Sequence, residues 1–197
     1  MHNRTGISPS QFAKIMTSGR GKNDLFGLTA QSYADEVVCR IMGFPVDDFT
    51  SEAMQYGIDN EPLAVQAYEL NKMVSVDYTK DRVLHPKYEY ISGEPDGLVG
   101  EDGILEIKVP NPTNHFKNLH PDTYQLPQYM YQIQGYLWLT DRKWCDFCSF
   151  RPDYPEKYRI AIHRVVRDQD MIDTLEKRCV LFWNELVLPK LEQVRNL

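Results

Sequence analysis

The chain has 197 residues, 42% of them hydrophobic and 25% charged, with a formal net charge of −6 at pH 7. That length suits one domain, residues 1–197, with a substantial core. No apolar run is long enough to span a bilayer and no signal-peptide pattern opens the chain, so a cytoplasmic location is expected. The acidic total counts against nucleic acid as a partner, because phosphate binding depends on Lys and Arg, although a nuclease needs only a local basic track. Locally the balance reverses: Arg4, Lys14, Arg20 and Lys22 fall in a stretch with no acid at all.

In chain order, Ser8 is a plausible N-cap with Pro9 at the first helical position, opening a short helix that stops near Gly19. The Ser18–Asp24 loop is basic. Arg4, Ser10 and Arg20 beside a helix N-terminus suit either an anion site or simple capping and solvated charge. Thr29 is read as the cap of a second helix reaching about Met42, and Ser51 as the cap of a third reaching about Leu70. Pro62 should kink that third helix or start a new segment. Glu61, Val65 and Tyr68 share one of its faces at i, i+4 and i+7. A carboxylate on an apolar face is costly unless paired or bound to metal, which singles out Glu61.

Val74–Tyr78, Arg82–Leu84 and Tyr88–Ser92 read as strands of a meander leading into Ile91–Pro110, ISGEPDGLVGEDGILEIKVP. Here a turn at Gly100–Gly103 folds Asp96 back beside a strand carrying Glu106 and Lys108. Residues two apart on a strand share a face, so Glu106 and Lys108 project together while Leu105, Ile107 and Val109 point into a core. Two carboxylates and one ammonium thus converge. Asp96 and Glu106 are hard oxygen donors suited to Mg²⁺ or Mn²⁺, the Ile107 carbonyl offers a third oxygen, and Lys108 can position or deprotonate a water. The spacing resembles the PD-(D/E)xK nuclease signature.

Asn111–Leu119 is a loop or short helix, and Asp122–Thr140 a mostly buried helix whose regular part begins near Pro127. Tyr129, Gln132 and Tyr136 lie along one stripe of it. Gln132 could serve a metal-bound water, a phosphate or a backbone carbonyl. Strands over Lys143–Phe150 and Arg159–Val166 and a terminal helix over Asp168–Val194 complete the chain. Cys145 and Cys148 have C-x-x-C spacing, but on a strand they face opposite sides, which favours structural cysteines. The five histidines show no metal-ligand spacing. The element order implies an α/β, three-layer domain around a mixed sheet.

The ordered set Ser10, Glu61-Pro, Glu-Pro-Asp96-Gly, Glu106-Ile-Lys108 and Tyr129-Met-Tyr-Gln132-Ile-Gln134 resembles the lambda-type (YqaJ-like) phage alkaline exonuclease family of the PD-(D/E)xK superfamily. The resemblance runs from about Arg4 to the terminal helix. It implies a restriction-endonuclease-like core, metal ligation by Asp96, Glu106 and the Ile107 carbonyl, and action of Lys108 on the nucleophilic water. By the same resemblance Glu61 is the helix carboxylate of the site, Gln132 assists at the metal-bound water, and Arg4, Ser10 and Arg20 hold a DNA 5′-phosphate. A homotrimer on double-stranded DNA ends, 5′→3′ degradation, a single-strand annealing partner and a phage or prophage origin in a bacterial host are implied with it. The usual aromatic-containing segment before the first Arg is absent, so an upstream segment is expected to be missing. His85-Pro-Lys stands where an extra acid sometimes lies. An endonuclease or branch-cleaving enzyme of the same fold, or a non-cleaving DNA-end-binding module, are the competing readings.

Overall fold

A computed structural model describes residues 6–19, 21, 24–46, 50–120 and 126–196. A 3-10 turn over Pro9–Gln11 runs into α1 (Phe12–Ile15), followed by α2 (Leu28–Met42) and α3 (Glu52–Lys72). The strands β1 (Val76–Asp77), β2 (Val83–Leu84), β3 (Ser92–Gly93), β4 (Gly97–Val99) and β5 (Gly103–Lys108) come next. α4 (Pro112–Asn118) and α5 (Met130–Thr140) then lead to β6 (Trp144–Phe150) and β7 (Ile160–Val166), and α6 (Gln169–Phe182) and α7 (Leu188–Arg195) close the chain.

Five strands form a mixed sheet in the order β1-β4-β5-β6-β7, and β2 pairs only with β3 in a separate ribbon. β5 and β6 are parallel, so the chain between them must cross over, and α4 and α5 do this; the other neighbours are antiparallel. The expected meander is therefore corrected. β1 pairs with β4, Val76 opposite Val99, and the ribbon projects from the chain between them. The Gly100 turn does form, with Gly100 in the left-handed region at φ 54° and Val99 opposite Gly103.

Strand alternation divides the interior into two cores. Ile104, Cys145, Phe147 and Val165 face α1, α2, α5 and α6, where Phe12, Tyr33, Ile133, Leu137, Leu175 and Phe182 are buried. Leu105, Ile107, Cys148 and Phe150 face Ala64, Val65 and Tyr68 of α3. Each fully buried large side chain contributes roughly 1.5–3 kcal/mol. Cys145 and Cys148 lie on opposite faces, and all four cysteines are free thiols.

Several local expectations change. The cap of α2 is Gly27, not Thr29, because the chain there passes so close that a Cβ on Gly27 would meet the Ser18 carbonyl at 2.8 Å. α1 ends at Ile15, before Gly19. Ser51 does cap α3, accepting from the Met54 amide. Pro62 does not break α3: it is exposed, and Ile58, whose carbonyl loses its partner, is also on the solvent side, where water can serve it. The terminal helix is interrupted by a π-turn at Trp183–Val187. Pro189 cannot donate to the Glu185 carbonyl, and the wider turn absorbs that conflict. No helix among the described residues is long and apolar enough to cross a membrane.

Candidate active site

β5 carries the site because it is the strand shared by both halves of the sheet. Gly97 is paired with Leu105, so Asp96, one residue earlier, stands opposite Glu106. β4 stops at Gly97, leaving the Ile107 amide without a strand partner, and the Asp96 carboxylate accepts that N–H at 2.7 Å. Glu106 is 1% exposed and its Oε1 accepts from Gln132 Nε2 at 2.7 Å and from the Lys108 ammonium. Lys108 Nζ also lies 5.2 Å from the Tyr129 ring centroid. Tyr129, the N-cap of α5, and one stripe of that helix thus serve the site: Tyr129 beside Lys108, Gln132 on Glu106, and the Tyr136 hydroxyl donating to the Glu94 carbonyl. Gln134, on the other side of α5, is consumed by the fold, donating to the Val166 carbonyl and accepting from the Asp168 amide.

Glu61 stands on α3. Its Oε1 is buried and forms an ion pair with Lys80 Nζ at 2.6 Å. Lys80 and Tyr78, on the chain between β1 and β2, were not singled out by the sequence; neither sits in a periodic pattern that would have marked it.

The electrostatics follow from the crowding of carboxylates. Burial and then the Glu106 charge push the Asp96 carboxyl up to about 8; Lys108 and the Ile107 amide oppose the rise and Glu61 adds to it. Burial would lower the Lys108 ammonium, but the Glu106 and Asp96 carboxylates outweigh it and raise it above the ordinary lysine range. Asp96 thus holds its proton more tightly folded than in the unfolded chain, where 3.8 applies. Its contribution to stability is full below about pH 4 and is lost as pH rises toward 8. Asp96→Asn removes that loss. In metal-free buffer the variant should melt above the wild type at about pH 8.5 and together with it at about pH 4, read by circular dichroism. Parallel melting curves across that range would refute the assignment.

Among the described residues no group of three or more His, Cys, Asp or Glu side chains is arranged to hold an ion by itself. Asp96 and Glu106 are the two carboxylates that could hold a hard divalent cation keeping several waters, and the Ile107 carbonyl could add a third oxygen. The fit has a direct sign: Glu106 Oε2 is buried and has no hydrogen-bond partner among the described residues. An unpartnered buried carboxylate oxygen beside a second carboxylate is what a cation would relieve. Gln132 fixes the carboxylate that would bind it. Gln132→Ala should lower metal affinity or turnover by about 10–100-fold without unfolding the chain. Calorimetric titration of Mn²⁺ into the variant checks this, and unchanged affinity and rate would show that Gln132 is only a helix-packing residue.

Of the proposed 5′-phosphate set, Arg4 and Arg20 lie outside the described residues. Ser10 is exposed, its hydroxyl 2.9 Å from that of Ser8. Its turn is held near the site. Ile7 bridges Ile91, and Pro9 packs so tightly on α5 that a Cβ on Gly135 would sit 3.0 Å from it and 2.7 Å from the Phe12 ring.

The structure is similar to the alkaline exonuclease LHK-Exo from Laribacter hongkongensis, with 28% identity and a TM-score of 0.85 over 98% of this chain and 93% of that one. A phage-related exonuclease from Haemophilus somnus 129PT shares the fold at 21% identity, with a TM-score of 0.78 over 95% and 96% of the two chains. The Bacillus subtilis (strain 168) protein YqaJ is 27% identical over 154 residues, which are 73% of this chain and 44% of that protein, so the chain spans less than half its length. The five-stranded mixed sheet flanked by helices is thus the alkaline-exonuclease fold. Residues 2–143 match the YqaJ-like viral recombinase domain, and the chain belongs to that family.

Proposed function

We propose that this chain is a metal-dependent DNA exonuclease that hydrolyses phosphodiester bonds from duplex ends, 5′→3′, in phage-type recombination. The observation that carries the reading is the convergence of Asp96, Glu106, Lys108 and Gln132 at the end of β5, with one Glu106 oxygen buried and unpartnered. The likeness to LHK-Exo, also described in complex with dAMP, supports a nucleotide-releasing reaction.

In this reading Asp96 and Glu106, with the Ile107 carbonyl, hold Mg²⁺ or Mn²⁺. The bound cation supplies Lewis acidity toward a phosphate oxygen and a water made acidic enough to attack near neutral pH. The chain's own groups do the rest. Gln132 and Lys108 hold Glu106 in one orientation. The Lys108 ammonium orients the attacking water and offsets negative charge as it builds on the phosphate oxygens. Glu61 adds a carboxylate from the α3 side. Arg4, Ser10 and Arg20 receive the 5′-phosphate. The protein is placed in the host cytoplasm, with a homotrimer around the duplex and a single-strand annealing protein as partner.

The test is incubation of the protein with linear duplex DNA in EDTA, followed by excess Mg²⁺. Binding without cleavage, then release of acid-soluble nucleotides on adding Mg²⁺, is the expected result. Binding with no release in Mg²⁺ or Mn²⁺ would replace the enzyme with an end-binding module.

A further inference from the structure

Asp96 is placed by chain that belongs to no strand. β3 ends at Gly93 and β4 begins at Gly97, so Glu94, Pro95 and Asp96 have no ladder to set their position. Two residues outside the hydrolytic set take hold of Glu94. In the ribbon Val83 pairs with Gly93 and Leu84 with Ser92, so Arg82 comes next, opposite Glu94. Its Nη1 donates to Glu94 Oε1 at 2.7 Å and its Nε to Ser92 Oγ at 3.0 Å. The Arg82 side chain is 14% exposed and that of Glu94 33%, so the guanidinium is the more buried partner of this cross-strand ion pair.

α5 grips the same residue by its backbone. The Tyr136 hydroxyl donates to the Glu94 carbonyl at 3.0 Å, and its ring lies so close to Gly93 that a Cβ there would meet it at 2.8 Å. Gln132, one turn earlier on the same helix, donates to the Glu106 carboxylate. One helix therefore sets the spacing of the two stretches that carry Asp96 and Glu106. Pro95 makes the step from Glu94 to Asp96 stiff, because its ring fixes its own φ and confines Glu94 to extended backbone. Asp96 then accepts the Ile107 amide at 2.7 Å.

We propose that Arg82 and Tyr136 are positioning residues for Asp96. They grip the side chain and the backbone of Glu94, and the stiff Glu94-Pro95 step delivers the Asp96 carboxylate to its place opposite Glu106. Neither residue touches the reacting atoms. The grip is a property of the chain itself and needs no ion. Its consequence for turnover rests on the reading that Asp96 works in hydrolysis.

Amide hydrogen exchange of the full chain in EDTA, read residue by residue by NMR, tests the grip, because the Ile107 amide is closed by the Asp96 carboxylate. Tyr136→Phe, which removes a single oxygen, should speed exchange at Ile107 on the order of tenfold while amides shared between β6 and β7 keep wild-type rates. Arg82→Met should do the same, and Arg82→Lys, which keeps a charge for Glu94, should lie nearer the wild type. In single-turnover digestion of linear duplex DNA in Mg²⁺, Tyr136→Phe and Arg82→Met should be slower by about 10–100-fold, with DNA affinity in EDTA unchanged. If Arg82→Met fails to fold, Tyr136→Phe decides alone. Wild-type exchange at Ile107 overturns the proposal. Equal acceleration at Ile107 and between β6 and β7 also overturns it, because the effect would then be general loosening. Faster Ile107 exchange with wild-type turnover removes the positioning role. If Ile107 exchange rises as expected but the wild type digests no DNA, the grip stands and the hydrolytic reading is what fails.

Discussion

Lys108→Ala should abolish turnover, lowering the cleavage rate by on the order of 10³-fold, while the protein still folds and binds DNA ends. The size of the effect follows from position. Lys108 ends β5 with its ammonium on Glu106 and beside the Tyr129 ring, and its side chain is 25% exposed, so it can face both the carboxylate and an incoming phosphate. No other cation among the described residues is shown on Glu106. Truncation leaves the 1%-exposed Glu106 carboxylate with Gln132 alone, which should cost about 1–3 kcal/mol of stability in EDTA. Mg²⁺ should restore part of that loss by taking over as counter-charge. Single-turnover cleavage and thermal melts with and without Mg²⁺ measure both effects. A variant with near-wild-type rate would remove Lys108 from the mechanism.

Glu106→Gln should abolish metal binding rather than the chemical step alone. Mn²⁺ affinity is expected to fall about 100-fold or more, because the change removes one of only two carboxylates in the donor set. If the proposed ion sits beside Glu106 Oε2, which is buried without a partner among the described residues, metal should act on stability as well as on activity. Bound metal stabilises the folded chain by mass action, about 2.7 kcal/mol when the free ion is 100 times Kd. The wild type should therefore melt at a higher temperature in Mg²⁺ than in EDTA, and Glu106→Gln should show no such shift. A metal-dependent shift of equal size in both proteins would place the ion elsewhere.

Much of this site was legible because it sits on regular elements. Strand alternation put Glu106 and Lys108 on one face, and the turn at Gly100 brought Asp96 opposite Glu106. A helical stripe gathered Tyr129, Gln132 and Tyr136, and all three meet the site or its edge. The i, i+4, i+7 spacing on α3 likewise marked Glu61, whose Oε1 is buried, as are Val65 and Tyr68 on the same face.

What was not legible depends on long-range choice or on irregular chain. β1 and β2 are both two-residue strands with no distinguishing pattern, and only tertiary packing decides that β1 joins the main sheet while β2 leaves it with β3. Lys80 has no periodicity to betray it, because its ion pair with Glu61 comes from a backbone conformation and a partner on another element. His115 was passed over for want of ligand spacing. It is wholly buried, bridging Ser149 Oγ at 2.9 Å and the Tyr158 carbonyl at 2.7 Å, and so anchors α4 beside the end of β6. Of the residues read as a phosphate pocket, Ser10 is exposed with its hydroxyl on Ser8, while Arg4 and Arg20 lie outside the described residues.

The central claim, hydrolysis from DNA ends, is tested most directly by offering three substrates in Mg²⁺. These are a linear duplex with 5′-phosphates, the same duplex without them, and a covalently closed circle. The account predicts degradation of both linear forms, faster with the 5′-phosphate, and an intact circle. Cleavage of the circle would contradict it and assign the same residues to an endonuclease.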